Sequence, residues 1–257
     1  MSAMTDIHQF TLFDKCRLYI GSSVLFVCIF VTATMVGFLI LLSTPFSYWL
    51  GYQFAKYWCA LVIWMARFFC GLTYDIQGLE HIKECPVAIA LCKHQSAWET
   101  LAMRWLLPEQ ATLLKRSLLW FPVWGWALGM LKPIAIDRKN AVGALRTLIE
   151  KGTLYLKQGS WVVIFPEGTR TAPGEKIKFN AGGAMLAQKT GVPIIPIAHN
   201  AGEFWPRYSF LKYPGCIKVV IGPPIESGNR KAQDINAEAE AWIHNTMKQI
   251  SSVPIPD

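Results

Sequence analysis

From Leu18 to Ala55 the chain carries no charged side chain, and that absence limits its fold more than any motif does. Leu18 to Leu42 alone is 25 residues. At about 1.5 Å per residue, such a helix is long enough to cross a hydrocarbon core of roughly 30 Å. Lys15 and Arg17 precede it. A cleaved signal peptide fits badly, because the apolar run is too long and no small-x-small site closes it. A core helix of a soluble protein would show a polar face, and none is present. The expectation is a membrane helix. A second apolar segment, Phe46 to Leu72, holds only Lys56 and Arg67 and is dense in Tyr and Trp, rings that favour the headgroup boundary. Pro45 lies between the two as a natural corner. The reading is a membrane-embedded helical hairpin over residues 1–72, both ends on one side.

The rest of the chain, residues 73–257, is expected to be a globular catalytic domain. Of 257 residues, 53% are hydrophobic and 16% charged, and the apolar excess is concentrated at the amino-terminal side. The formal charge is +8, and residues 73–257 hold 21 basic against 15 acidic side chains. Basic residues stay on the cytoplasmic side of a membrane, so that face is expected. Seven cysteines without C-x-x-C spacing indicate neither a disulfide framework nor a zinc site, and reduced cytoplasm is the simplest compartment.

After Leu72 short apolar runs alternate with helical patterns. Thr73–Ile76, Pro86–Leu91, Ala111–Lys115, Pro133–Ile136, Trp161–Phe165, Val192–Ala198 and Cys216–Ile221 read as strands. Such alternation predicts an α/β fold, a mostly parallel central sheet covered by helices. Two prolines in Val192–Ala198 place that strand near an edge or a bulge. Leu118–Leu131, apolar and aromatic, suits core by default, and equally a lipid-facing patch or the wall of a greasy channel.

Two stretches carry chemistry. In Cys92–Thr100, His94 falls in the turn past a buried strand, where open α/β sheets hold their active sites, and Glu99 follows five residues on. A carboxylate can orient an imidazole and stabilise the imidazolium that forms, which suits a general base for a hydroxyl. The same residues fit S-x-x-E, a capping box from Ser96 to Glu99. A spacing of five is poor for two metal ligands on one helix, and no metal is expected. The second stretch, Phe165–Arg170, follows another buried strand. Gly168 lets backbone come close, Thr169 offers a hydroxyl and Arg170 can grip a phosphate by two hydrogen bonds. Arg138 and Lys115, each ending a further strand, add charge, and Glu167 stands among them. The alternative is that Glu167 and the arginines pair on a solvated rim.

Taken in order, Lys93-His94-Gln95-Ser96 through Glu99, Gly129 through Arg138, Phe-Pro-Glu-Gly-Thr-Arg at 165–170, and Val192–Pro196 resemble the four blocks of the 1-acyl-sn-glycerol-3-phosphate acyltransferase (lysophosphatidate acyltransferase) family. One position departs: the acid is Glu99 where the family has Asp, and its longer side chain must reach the imidazole by another rotamer. The resemblance implies transfer of an acyl chain from a thioester to the sn-2 hydroxyl of lysophosphatidate, giving phosphatidate. His94 and Glu99 would be catalytic. Arg138, Arg170 and Lys115, with Thr169, would hold the phosphate, on a loop shaped by Glu167 and Gly168. No cofactor is implied. The expected partners are membrane lipid and a coenzyme A or acyl carrier protein thioester, with no nucleic acid. Transfer to another lysolipid, such as lyso-ornithine lipid or a lysophospholipid, and a non-transferase anchored protein of the same fold are the competing readings.

Overall fold

The computed structural model describes residues 11–137 and 139–256. The first helix, α1 (Leu12–Ser43), opens on a capping box: the Thr11 hydroxyl accepts the Asp14 amide, and the Asp14 carboxylate accepts the Thr11 amide. The chain turns at Thr44–Phe46, where Pro45 cannot extend the helix. Ser47 then caps α2 (Tyr48–Cys70), which Gly71 ends in the left-handed conformation. The two helices run antiparallel and very close. A Cβ placed on Gly21 would lie 2.3 Å from the Phe69 carbonyl oxygen, and the Trp58 indole N–H donates to Thr32 Oγ1 at 3.0 Å. On the far side of α1, Ile20, Phe26, Phe30, Phe38 and Leu42 are exposed.

The remaining elements are β1 (Leu72–Gln77), α3 (Leu79–Glu84), β2 (Ile89–Cys92), α4 (Trp98–Leu106), β3 (Gln110–Lys115), α5 (Trp124–Gly129), β4 (Ile134–Ile136), α6 (Ala141–Lys157), β5 (Trp161–Ile164), α7 (Gly182–Thr190), β6 (Ile194–His199), β7 (Gly215–Ile221) and α8 (Ala232–Ile250). The strands form one sheet in the order β1-β7-β6-β2-β5-β3-β4. All neighbouring pairs are parallel except β6 with β7. The carboxyl ends of β6, β2, β5, β3 and β4 therefore share one edge.

Buried strands explain the unbroken apolar runs, since both faces are covered. On β2, Ile89 and Leu91 pack with α6, α7 and α8, while Ala90 and Cys92 face α2 and α4. Trp98 is fully buried on that second side, together with Val62, Ala66 and Cys70 of α2. Burying one such large side chain is worth roughly 1.5–3 kcal/mol. The Tyr52 hydroxyl also accepts the Gln110 amide at 3.2 Å, and Ser22 Oγ accepts the Lys212 amide at 3.0 Å. The composition break at residue 72 is thus not a packing break. A chain beginning at residue 73 would lose one cover of its sheet.

Of the two places offered for the proline-bearing strand, the structure shows the bulge: β6 is central, not an edge strand. Pro193 precedes the strand, and Pro196 is tolerated because it sits where the ladder to β7 stops: its carbonyl accepts from the Gly222 amide at 2.8 Å, and the next pairing, Ile194 with Ile225, is out of step by one residue. Leu118–Leu131 is not mainly core, because Trp120, Phe121 and Trp126 are exposed.

Close contact of α1 with α2 gives the first prediction. Gly21→Ala forces a methyl group against backbone and should cost about 1–3 kcal/mol, lowering the melting temperature by roughly 3–10 °C in detergent. An unchanged melting temperature would show that the helices are not pressed together there.

Candidate active site

Strand β2 ends at Cys92, and the next two residues meet the loop that follows β5. That loop arrives beside them because β2 and β5 are parallel neighbours in register from Ile89 with Val162. Its carboxylate, Glu167, is buried and turned inward. Oε1 accepts Lys93 Nζ in a buried ion pair, and Oε2 accepts the His94 amide at 2.7 Å. Thr171 completes the join: its amide donates to the His94 carbonyl at 2.8 Å, and its hydroxyl accepts from Lys93 Nζ at 3.1 Å. Both backbone groups of His94 are therefore bound to the 165–171 loop.

The imidazole is fixed as tightly. Phe165 stacks on it with ring centres 4.1 Å apart and planes at 20°. Nδ1 bonds Glu99 Oε1 at 2.8 Å. A carboxylate partner requires Nδ1 to carry the proton, which leaves the Nε2 lone pair for a substrate. Glu99 stands in the first turn of α4, where the helix dipole favours an anion. Oε1 also accepts the amides of Gln95 at 3.0 Å and Ser96 at 2.8 Å. Burial pushes the Glu99 carboxyl up, but the neighbouring His199, the His94 bond and the Ser96 amide outweigh it, and the net shift is downward. Half of the expected capping box exists. Glu99 accepts the Ser96 amide, yet Ser96 Oγ takes the Trp98 amide at 3.1 Å, and the N-cap is Ala97, which has no side-chain acceptor. One carboxylate both caps the helix and orients the histidine.

The other sequence-predicted residues divide. Gly168, at φ +72°, makes the turn that carries the loop past the strand end. Thr169 is exposed and Arg170 half-buried beyond it, with the Arg170 carbonyl accepting from the Arg207 guanidinium. Lys115 is exposed at the end of β3, the strand next to β5. Arg138 lies outside the described residues. Glu167, expected to shape the loop, faces Lys93 and the His94 amide and so fixes the loop against the His94 turn. Burial pushes its carboxyl up against the pull of Lys93.

Sequence reasoning missed Lys93, Thr171, His199 and Arg207. Lys93 and Thr171 directly flank the two motifs, so adjacency was a usable signal for them; His199 comes near only through the pairing of β6 with β2. Nothing in the pattern marks Arg207. His199 is fully buried and holds the Lys93 carbonyl at 2.7 Å; burial pushes its pKa down. Among the described residues, no group of three or more His, Cys, Asp or Glu side chains is placed to hold a metal ion.

Fold and site define an α/β enzyme with a histidine–carboxylate pair at the carboxyl edge of a mostly parallel sheet. Residues 73–200 match the family model described as Acyltransferase. The chain is 48% identical over 199 residues to a 1-acyl-sn-glycerol-3-phosphate acyltransferase of Pseudomonas aeruginosa, covering 76% of this chain and 77% of that one. It is 29% identical over 211 residues to the protein of that name from Limnanthes alba, covering 79% and 73%. The crystal structure of the 1-acyl-sn-glycerophosphate acyltransferase of Thermotoga maritima superposes with a TM-score of 0.77 over 92% of this chain and 97% of that one, at 20% identity, and so shares the fold. This chain belongs to the acyltransferase family.

The clamp yields a prediction that separates structure from substrate binding. Lys93→Met leaves a buried carboxylate unpaired and should destabilise by about 3–5 kcal/mol, or roughly 6–20 °C in melting temperature. Adding Glu167→Gln should recover part of that loss. If Glu167 mainly faced substrate, Lys93→Met would leave the melting temperature unchanged.

Proposed function

We propose that the protein is a membrane-bound 1-acylglycerol-3-phosphate O-acyltransferase, moving a fatty acyl chain from an acyl thioester to the sn-2 hydroxyl of lysophosphatidate and forming phosphatidate. The observation that carries the mechanism is the His94–Glu99 pair, oriented by Phe165 and by the 165–171 loop. His94 Nε2 takes the hydroxyl proton as the oxygen attacks the thioester carbonyl. Glu99 stabilises the imidazolium. As the tetrahedral intermediate collapses, the C–S bond breaks and His94 returns the proton to the leaving thiolate. No acyl-enzyme is invoked. Burial pushes the Cys92 thiol well above its ordinary range, and Ser96 Oγ is engaged by the Trp98 amide.

Arg170, Arg138 and Lys115 are assigned to the substrate phosphate, with Gly168 and Thr169 shaping the loop; strand order supports this, since β5, β3 and β4 end side by side. Residues 1–72 serve the membrane and 73–257 the chemistry. Among the described residues α1 is one helix long and apolar enough to cross a membrane. The positive charge of residues 73–257 supports the cytoplasmic face and an acidic acyl donor, coenzyme A or acyl carrier protein.

Purified protein in vesicles should convert lysophosphatidate and an acyl thioester to phosphatidate, identified by mass. Transfer only to other lysolipids would replace the acceptor. Acyl-thioester hydrolysis without transfer, or no consumption at all, would remove the transferase reading. Within it, Arg170→Ala should raise KM for lysophosphatidate about ten- to a hundredfold, the loss of a charge-assisted bond worth roughly 1.5–3 kcal/mol. A phosphate-free monoacylglycerol should show no such change, and an equal loss on both acceptors would make Arg170 structural.

A further inference from the structure

Between β3 and β4 the crossover departs from the usual pattern of a helix closing over the sheet. Helix α5 lies instead in the groove between α1 and α2, where Ala127 and Leu131 join Ile40, Tyr52 and Ala55. The Trp124 indole N–H donates to Thr34 Oγ1 at 3.1 Å, and the ring meets Phe30 edge-on at 5.2 Å. Just before it, Val123 has φ +61° and ψ −63°, the centre of a γ-turn closed by the Trp124 amide on the Pro122 carbonyl at 2.7 Å. A β-branched residue is strained there and persists only where its surroundings hold it. They do: a Cβ on Gly37 of α1 would lie 2.9 Å from Val123 Cγ1.

Beyond this contact the rings turn outward. Trp120 is 81% exposed, with Phe121 beside it also exposed. The loop 204–214 adds Tyr208, 86% exposed and at φ +59°, and Phe210, whose ring lies 5.8 Å from that of Phe26 on α1. Both loops follow the carboxyl ends of strands, β3 and β6, so these rings belong to the edge that carries His94. Lys115 and Arg116 are exposed at the foot of the first loop.

We propose that the two loops form an aromatic rim, continuous with α1, that seats the carboxyl edge of the sheet on an anionic phospholipid bilayer and passes the lipid acceptor from the leaflet to His94. This rests on the acyltransferase reading above. Trp and Tyr prefer the headgroup boundary, and lysines and arginines beside them are attracted to anionic lipid. A bilayer also covers the exposed apolar side of α1, which is continuous with the rim. The unit that meets the membrane is then discontinuous in sequence: α1 and α2, the crossover 116–131 and the tip of 204–214.

The test uses the full chain in vesicles of phosphatidylcholine and phosphatidylglycerol. The triple variant Trp120→Ser, Phe121→Ser, Tyr208→Ser should lose about tenfold or more in kcat/KM on vesicle-borne lysophosphatidate, and nothing on a short-chain, water-soluble lysophosphatidate. Lipids brominated in the acyl chain should quench tryptophan fluorescence more in the parent than in Trp120→Ser. Equal rates on vesicles, an equal loss on both substrates, or unchanged quenching would overturn the rim. So would loss of self-association in detergent with unchanged quenching, which would make the rim a contact between copies of the chain. A parent that transfers no acyl group fails the function reading alone, because quenching still decides the rim.

A separate set of contacts lies under the site. His199 Nδ1 accepts the Ala201 amide at 3.2 Å, so its proton is on Nε2, which donates to the Lys93 carbonyl at 2.7 Å. The same nitrogen is 3.9 Å from Glu99 Oε2, a buried oxygen with no hydrogen-bond partner among the described residues. We infer that His199 is a positioning residue: by donating to the Lys93 carbonyl it fixes the residue before His94, and its ring fills the space beside Oε2 so that Oε1 meets His94. An aspartate, one methylene shorter, would not reach as deep, so the contact suits glutamate at this position. His199→Ala should lower kcat about tenfold at unchanged KM, and His199→Gln, which restores an N–H donor, should recover most of it. Full kcat per folded molecule in His199→Ala, or a Gln variant no better than Ala, would overturn the role.

Discussion

The sheet edge that carries His94 depends on one buried ion pair. Lys93 and Glu167 come from turns after adjacent strands, and their contact converts two loops into one rigid piece. Such a pair need not add much stability, because removing two charges from water offsets most of their attraction. Its effect is on geometry. Glu167 spends its second oxygen on the His94 amide, and Thr171 takes the His94 carbonyl, so the backbone of the histidine has no freedom left. With Phe165 on one face and Glu99 on Nδ1, the imidazole is set before substrate arrives. That kind of preorganisation removes reorganisation from the reaction step.

Sheet order makes the arrangement possible. Placing β5 between β2 and β3 brings the His94 turn, the 165–171 loop and Lys115 to one edge, although 76 residues of chain separate His94 from Arg170. The apolar helices are built into the same body. Val62 and Ala66 of α2 share a core with Trp98, the residue just before Glu99, so the segment read as an anchor also supports the helix that carries the acid.

Much of this was legible in the sequence, and the exceptions have physical causes. Parallel strands covered on both faces leave short, unbroken apolar runs, which is why Trp161–Phe165 and Pro86–Leu91 stood out. The turn after such a strand is where chemistry sits, so His94 and Glu99 were readable too. The direction of Glu167 was not. A carboxylate between Pro and Gly reads as a loop charge until its partner, 74 residues away, is placed. The prolines of Val192–Ala198 left an edge and a bulge both open because local rules cannot see where the ladder to β7 stops. The block 118–131 stayed ambiguous, since burial in protein and exposure to lipid select the same apolar residues. His199 was missed because it acts through space, across β6 and β2.

The central claim is that Glu99 works through its charge on His94 and not only as a helix cap. Glu99→Gln isolates that charge: its carbonyl oxygen can still accept the Gln95 and Ser96 amides, as Oε1 does. Turnover and melting temperature should be measured together on this variant. Turnover is expected to fall by roughly 10²–10⁴ while the melting temperature moves by less than about 3 °C. Turnover equal to that of the unmodified protein across neutral pH would contradict the account and leave Glu99 as a cap.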